Sequence, residues 1–274
     1  MIRRIFWSLL LIFAIAGNSY SWNSLGHRLV AQIAYHHLNS HAKQLLNHYN
    51  HALDKVYRPQ SLVNAAAWLD SLRYQNDLWM GQRHYIDIPF SVDGTELIEP
   101  CEINAVTAIV LAKQLMQDSS VTVFEKGFSL RILLHIIGDI HQPLHAVSQF
   151  SIAHPKGDKG GNLFPLKDNP VATNLHAYWD KGGGWLNTNK HYNAAQLSKI
   201  ARHIEKHWPC HLQQMNLDPM LWAQESHQLA VQKAYQIRPG QRPSNAYQRM
   251  VKNTAEQRIA LAGCRLAALL NQIA

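Results

Sequence analysis

The sequence predicts a mainly α protein: one helical domain with a few long loops. Apolar residues recur at three- and four-residue spacing along most of the chain. Strand-like alternation is scarce, and Gly, Pro, Asp and Lys gather in two segments. The first helical pattern is His27 to Leu38, with Leu29, Val30, Ile33 and Ala34 on one side. Leu62 to Leu72 and Asn104 to Met116 repeat it. Phe128 to Ile140 is apolar nearly all round, which predicts a helix in the middle of the fold, and Pro143 stops it. Further helices are expected at Ala194–His207, Pro219–Tyr235 and Asn245–Ile273. "HYIDIPF" (His84 to Phe90) alternates and predicts a short extended piece. Ala153–Pro170 and Asp180–Asn193 read as loops.

The first residues have the make-up of a secretory signal. Arg3 and Arg4 precede the apolar run Ile5 to Ala16, and the small residues Ser19 and Ser21 follow. The run is shorter than the roughly 20 residues that span a bilayer. A cut after Ser21 is expected, giving residues 1–21 as signal and 22–274 as one domain, secreted or periplasmic. An uncleaved anchor is the alternative; after the cut no stable membrane insertion is expected. Losing Arg3 and Arg4 takes the formal net charge from +8 to +6. That suits an anionic partner such as nucleic acid, phospholipid or cell envelope.

Three cysteines allow one disulfide in an exported chain. Cys101 with Cys210 is the expected pair, leaving Cys264 buried and unpaired in a helix. No C-x-x-C spacing occurs, which argues against a thiolate zinc site. The 17 histidines are more conspicuous. His36, His37, His41, His48 and His51 read as surface filler.

Other histidines fall at spacings that ask for chemistry. In "HIIGDIHQPLH", His135 and Asp139 lie four apart, on one face of an apolar helix. Burying such a pair demands mutual pairing or a shared cation. "NLHAYWD" repeats the spacing with His176 and Asp180. The turn at Gln142-Pro143 can swing His145 back to the same place, whereas His141 faces away from His135 and is read as structural. Asp70, His84 and His27 are further ligand candidates. Five histidines and three aspartates exceed one tetrahedral site and suit two or more Zn²⁺ or similar ions. Such a charged centre wants an anion, and a phosphodiester is the natural one.

The motifs "WNSLGH", "AAWLDSLR", "RHYIDIP", "LLHIIGDIHQPLH", "GDKGGN" and "NLHAYWD", in that order, resemble the zinc-dependent, single-strand-specific nucleases of the S1/P1 type. "LAGCRLAALLN" resembles that family's last helix. The resemblance implies a mostly helical fold, similar to zinc phospholipases C and these nucleases, around three Zn²⁺. One ion would take Asp70, His84, His135 and Asp139. A second would take His145, His176 and Asp180. The third would take His27, a shared Asp139, and the amine and carbonyl of Trp22 as first residue. The resemblance makes Asp70 and Arg73 catalytic and sets Tyr85 and Asp87 beside a base pocket, with Asn162 also touching substrate. The expected substrates are single-stranded DNA and RNA and nucleotides, the products 5′-phosphates, and the protein a monomer. A bacterial-type zinc phospholipase C, an intracellular His-Asp phosphohydrolase and a non-catalytic exported metal-binding protein are the alternatives.

Overall fold

The computed structural model describes residues 22–73, 80–186, 189–212 and 215–274, and of Arg73 the backbone alone. Among them, helices α1 (Ser24–His37), α2 (Ser40–Ala52), α5 (Ala105–Gln117), α6 (Val123–Ile140), α8 (Ala194–His207) and α10 (Asn245–Ile273) pack into one bundle. Shorter helices are α3 (Leu62–Ala65), α4 (Trp68–Arg73), α7 (Leu175–Asp180) and α9 (Pro219–Leu229). The mainly α expectation holds.

Capping chemistry sets where the site's helices start. Asn23 accepts the Gly26 N–H and opens α1. Thr122 and Glu125 form a reciprocal capping box that starts α6 at Val123, five residues before the apolar run Phe128–Ile140 announces it. From Leu130 to Ile140 every residue of α6 is buried except Ile132. The helix ends at Ile140, and Gln142 and Pro143 lead into the single tight turn Pro143–Ala146.

The expected helix Leu62–Leu72 is two helices. The chain breaks at Ala66 and Ala67, so the Ala66 carbonyl is free of the helical ladder and accepts from His135 Nδ1 at 2.7 Å. Helix α9 stops at Leu229, and one π turn (Ala230–Ala234) covers the rest of the expected stretch. Helix α2 was hidden by its histidines: Ala42, Leu46 and Asn50 recur every four residues and face inward, while His41, His48 and His51 stay outside. His36 and His37 are more than filler, since both bind Glu205 at 2.8 Å and tie α1 to α8.

The extended piece at 84–90 finds a partner in the segment after α6. Strands β1 (Pro89–Ser91) and β2 (Ser148–Phe150) are parallel, with Pro89 opposite Ser148. The pairing begins upstream, where Ile86 N–H donates to the His145 carbonyl at 2.8 Å. His84 and His145 are thereby brought together.

The disulfide differs from the expectation. Cys210 bonds Cys264, with Cα atoms 5.4 Å apart, and Cys101 is free and exposed. Cys101 lies on the loop before α5, whereas the segment after α8 packs on the buried face of α10 that carries Cys264. Two glycines set how closely α1 is held. A Cβ at Gly138 of α6 would sit 2.9 Å from His27 Nδ1, and one at Gly263 of α10 would sit 2.6 Å from Ile33 Cβ. Helix α1 therefore lies against backbone on both sides.

Candidate metal centre

Three groups of imidazole and carboxylate side chains converge with ligand atoms within 4.8 Å of one another, all buried: His27, His135 and Asp139; Asp70, His84 and His135; His145, His176 and Asp180. Helices α1, α4, α6 and the turn Gly81–His84 supply the first two. The turn after α6 and helix α7 supply the third.

The first two groups merge. Asp139 accepts from His84 Nδ1 at 2.9 Å and lies 3.2 Å from His27 Nε2 and 3.3 Å from His135 Nε2. Asp70 Oδ1 is 3.6 Å from His135 Nε2. The His27 and His135 rings stack at 3.9 Å between centroids. Burial raises the Asp139 carboxyl, but His135, His27 and His84 prevail and hold it well below the usual range. Burial also pushes His135 down to about 3, so its ring is neutral at physiological pH.

The orientation of the rings decides what they can bind. Carbonyl oxygens only accept hydrogen bonds. His135 donates Nδ1–H to Ala66, His145 to the His84 carbonyl at 2.8 Å and His176 to the Gly160 carbonyl at 2.7 Å. All three Nε2 atoms then carry bare lone pairs. Those of His145 and His176 face each other at 3.1 Å, and that of His135 meets His84 Nδ1 at 3.2 Å. Two lone pairs so close repel unless a cation lies between them. Asp180 makes the same demand. Burial pushes its carboxyl well above the usual range, Asp70 and Asp139 add to this, and the Gln142 amide opposes it. Asp70 Oδ1, Asp180 Oδ2 and His84 Nε2 are buried without a hydrogen bond among the described residues. Nitrogen and carboxylate donors, fixed through their outer atoms, fit Zn²⁺.

Trp22 lies beside this centre. Its ring is fully buried, and the lack of a side chain at Gly26 makes room for it. The next residue, Asn23, donates its N–H to the Asp180 carbonyl at 3.2 Å and its side-chain amide to the Leu186 carbonyl at 2.7 Å. His141, expected to be structural, is held in the core: it donates to Ile137 and accepts from Arg265.

The S1/P1 nuclease family model matches residues 22–274. The chain belongs to the S1/P1 nuclease family. It is 27% identical to Endonuclease 4 of Arabidopsis thaliana over 99% of this chain and 95% of that protein. It is 28% identical to Nuclease P1 of Penicillium citrinum over 58% of this chain and 57% of that protein, and 29% identical to Nuclease S1 of Aspergillus oryzae over 61% and 56%. The protein is a nuclease of a metal-dependent family, and its substrates are nucleic acids.

The other expected site residues flank the candidate groups along the chain of this S1/P1 nuclease. Arg73 ends α4 one turn after Asp70, and its side chain lies outside the described residues. Tyr85 is half-buried and extended. Burial, and then the charge of Asp158, raises the half-buried Asp87 carboxyl to about 6, with Lys159 pulling the other way. Asn162 turns its amide into its own loop, donating to the Lys159 carbonyl at 2.7 Å.

Two positioning residues were missed in the sequence. Gln142 is fully buried; it donates to Asp180 Oδ1 at 2.7 Å and accepts the Leu144 N–H at 2.7 Å. It joins Asp180 to the turn that carries His145. A polar side chain between His141 and Pro143, in an apolar run, was the available signal. Asp158 is also fully buried and accepts from the Gln149 N–H and the Tyr235 hydroxyl, each at 2.9 Å. It anchors the Gly-rich loop whose Gly160 carbonyl orients His176. Gly160 has φ +60°, and a Cβ there would run into the Leu144 carbonyl.

Proposed function

We propose that this nuclease is an exported, zinc-dependent phosphodiesterase that cuts single-stranded DNA and RNA to leave 5′-phosphates, and that it also removes 3′-phosphates from nucleotides. The observation that carries the metal reading is the facing pair of Nε2 lone pairs on His145 and His176. Three Zn²⁺ would be held by Asp70, His84, His135 and Asp139; by His145, His176 and Asp180; and by His27, Asp139 and the free amine and carbonyl of Trp22. An amine has a localised lone pair and an amide does not, so the third set is complete only when Trp22 is the first residue. The disulfide Cys210–Cys264 supports an oxidising destination, secreted or periplasmic. Residues 1–21 would be the removed signal and 22–274 a single monomeric domain. No helix among the described residues is long and apolar enough to cross a membrane.

Zn²⁺ held by these residues would supply a water with a pKa near 7 and positive charge for the phosphate. The chain's own residues do the rest. The Asp70 carboxylate accepts a hydrogen bond from the attacking water and aligns its oxygen with phosphorus, opposite the 3′ oxygen. Water loses a proton as the P–O bond forms, and the departing 3′ oxygen gains one. The Arg73 guanidinium donates to the phosphate oxygens as charge builds on them. Tyr85 offers a flat face to a base, worth about 1–3 kcal/mol and indifferent to base identity. Asp87, ionised above about pH 6, accepts from base N–H groups, and Asn162 lies on the neighbouring loop. A duplex keeps its bases stacked and unavailable, which favours single strands.

The test is release of acid-soluble nucleotides from single-stranded DNA and RNA by protein that begins at Trp22. Prompt, chelator-sensitive release is expected, and one extra N-terminal residue should abolish most of it. No release with zinc bound overturns the substrate reading and points to phospholipid headgroups.

A further inference from the structure

A groove of about 480 Å³ lies on the outer side of α1, between α2, α3 and the start of α8. A volume of that order suits a small-molecule unit. Its wall includes Arg28, Gln32, Tyr35, Asn64, Tyr192 and Ala195.

Arg28 sets this groove apart. Its guanidinium is half-buried, donating from Nε to Asn64 Oδ1 and from Nη2 to the Tyr192 carbonyl, each at 2.9 Å. Both partners are neutral. The other arginines in the interior have acids: Arg131 has Asp54, and Arg258 and Arg265 share Glu225. Arg28 has no acidic partner among the described residues. Helices α1, α2, α3 and α8, which border the groove, carry a single acid between them, Glu205, and His36 and His37 hold it. Lys43 stands over the Tyr35 ring at 5.0 Å, and Lys190 is exposed two residues before Tyr192. A desolvated guanidinium in such a setting lacks an anion.

The groove is also tied to the metal centre along three strands of chain. Arg28 follows His27. Asn64 precedes by two residues Ala66, whose carbonyl holds His135. Tyr192 follows by six residues Leu186, whose carbonyl holds Asn23 beside Asp180.

We propose that this groove is a second nucleotide site, in which Arg28 takes a phosphate and the tyrosines take the face of a base. The inference rests on the nucleic-acid reading above. The nucleotide is either one unit of a strand that also reaches the metal centre or a free 5′-mononucleotide.

The test uses zinc-loaded protein beginning at Trp22, with two variants. Arg28→Gln removes the charge. Ala195→Glu, at the second position of α8, sets an acid in the groove where a helix start favours one, so the fold is kept. Affinity is read by anisotropy for a 12-nucleotide phosphorothioate strand and by calorimetry for a 5′-mononucleotide, and turnover is read on a dinucleotide. Each variant should weaken at least one of the two ligands about fivefold or more, roughly 1 kcal/mol, and leave dinucleotide turnover within about twofold. Loss confined to the 12-mer assigns the site to the strand, and loss confined to the mononucleotide assigns it to free nucleotide. Unchanged affinity for both, or an equal fall in dinucleotide turnover, overturns the proposal. Failure of the wild type to cleave any strand would instead count against the nuclease reading, because the binding measurements need no cleavage.

Discussion

The merged groups around Asp139 and the group around Asp180 use the same side chains on different supports. His27, His135 and Asp139 project from α1 and α6, in the larger of the two apolar cores. His145 and His176 project from a single tight turn and a six-residue helix, among Leu144, Leu175, Tyr178 and Trp179 of the smaller core. The first support is held by its own helical ladders. The second is held by the hydrogen bond that Gln142 donates to Asp180 and by those that Asp158 and the Gly160 carbonyl accept. On the long helices one outer contact, from His135 to the Ala66 carbonyl, sets a ring, whereas the turn-borne ligands rest on a second layer of several polar contacts.

The sharpest way to break the comparison is His135→Ala against His176→Ala. His135 lies in two of the candidate groups and against Asp139, the carboxylate that two of the proposed ions share, so its loss should empty its own set and weaken the His27 set beside it. A fall in kcat/KM of about 10³-fold, roughly 4 kcal/mol of transition-state stabilisation, is expected. His176→Ala should empty only the Asp180 group. Zinc per chain by atomic emission separates the two, and equal losses would refute the distinction. Next in size is the disulfide. Cys264→Ala should cost about 2–5 kcal/mol of stability, read by thermal unfolding. Zinc content of the folded protein should stay whole, because the bond braces α10 and touches no ligand. Smaller still is Gln142→Leu, which should weaken zinc at the Asp180 group about 10- to 100-fold in competition with a chelator. The Asp139 side should hold its zinc unchanged.

The smallest effect is a pH dependence at Asp87. Its folded pKa of about 6 lies above the unfolded value near 3.8. The folded state therefore holds this proton more tightly. The group's contribution is complete below the unfolded value and is lost as pH rises through about 6. Asp87→Asn should flatten the stability profile between pH 4 and 6 by about 1–2 kcal/mol, after allowance for the water reaching this half-buried carboxyl. A profile of unchanged slope in denaturant titrations would sink that account.

The same contrast explains what was legible in the sequence. Helix α6 could be read because its apolar run admits no other element, and His135 and Asp139 stand out within it. The spacing of His176 and Asp180 was equally plain. The supports of the turn-borne group were not. Gln142 carries no periodic signal, and Asp158 sits in a loop whose Gly and Lys content hides it. The Ala66 carbonyl is freed by a helix break that alanines do not announce. The cysteine pairing was misread because it depends on the packing of α10 against the end of α8, a contact made at a separation of 54 residues.

Helix α1 touches Gly138 at its first turn and Gly263 six residues further on, about 9 Å along its axis. It behaves as a lever with His27 at one end. One methyl group at Gly263, remote from every ligand, must shift Ile33 or the Val30 carbonyl, and the helix carries that displacement to His27. Gly263→Ala should therefore weaken binding of the ion proposed at His27 while altering no ligand, as competition with a chelator would show.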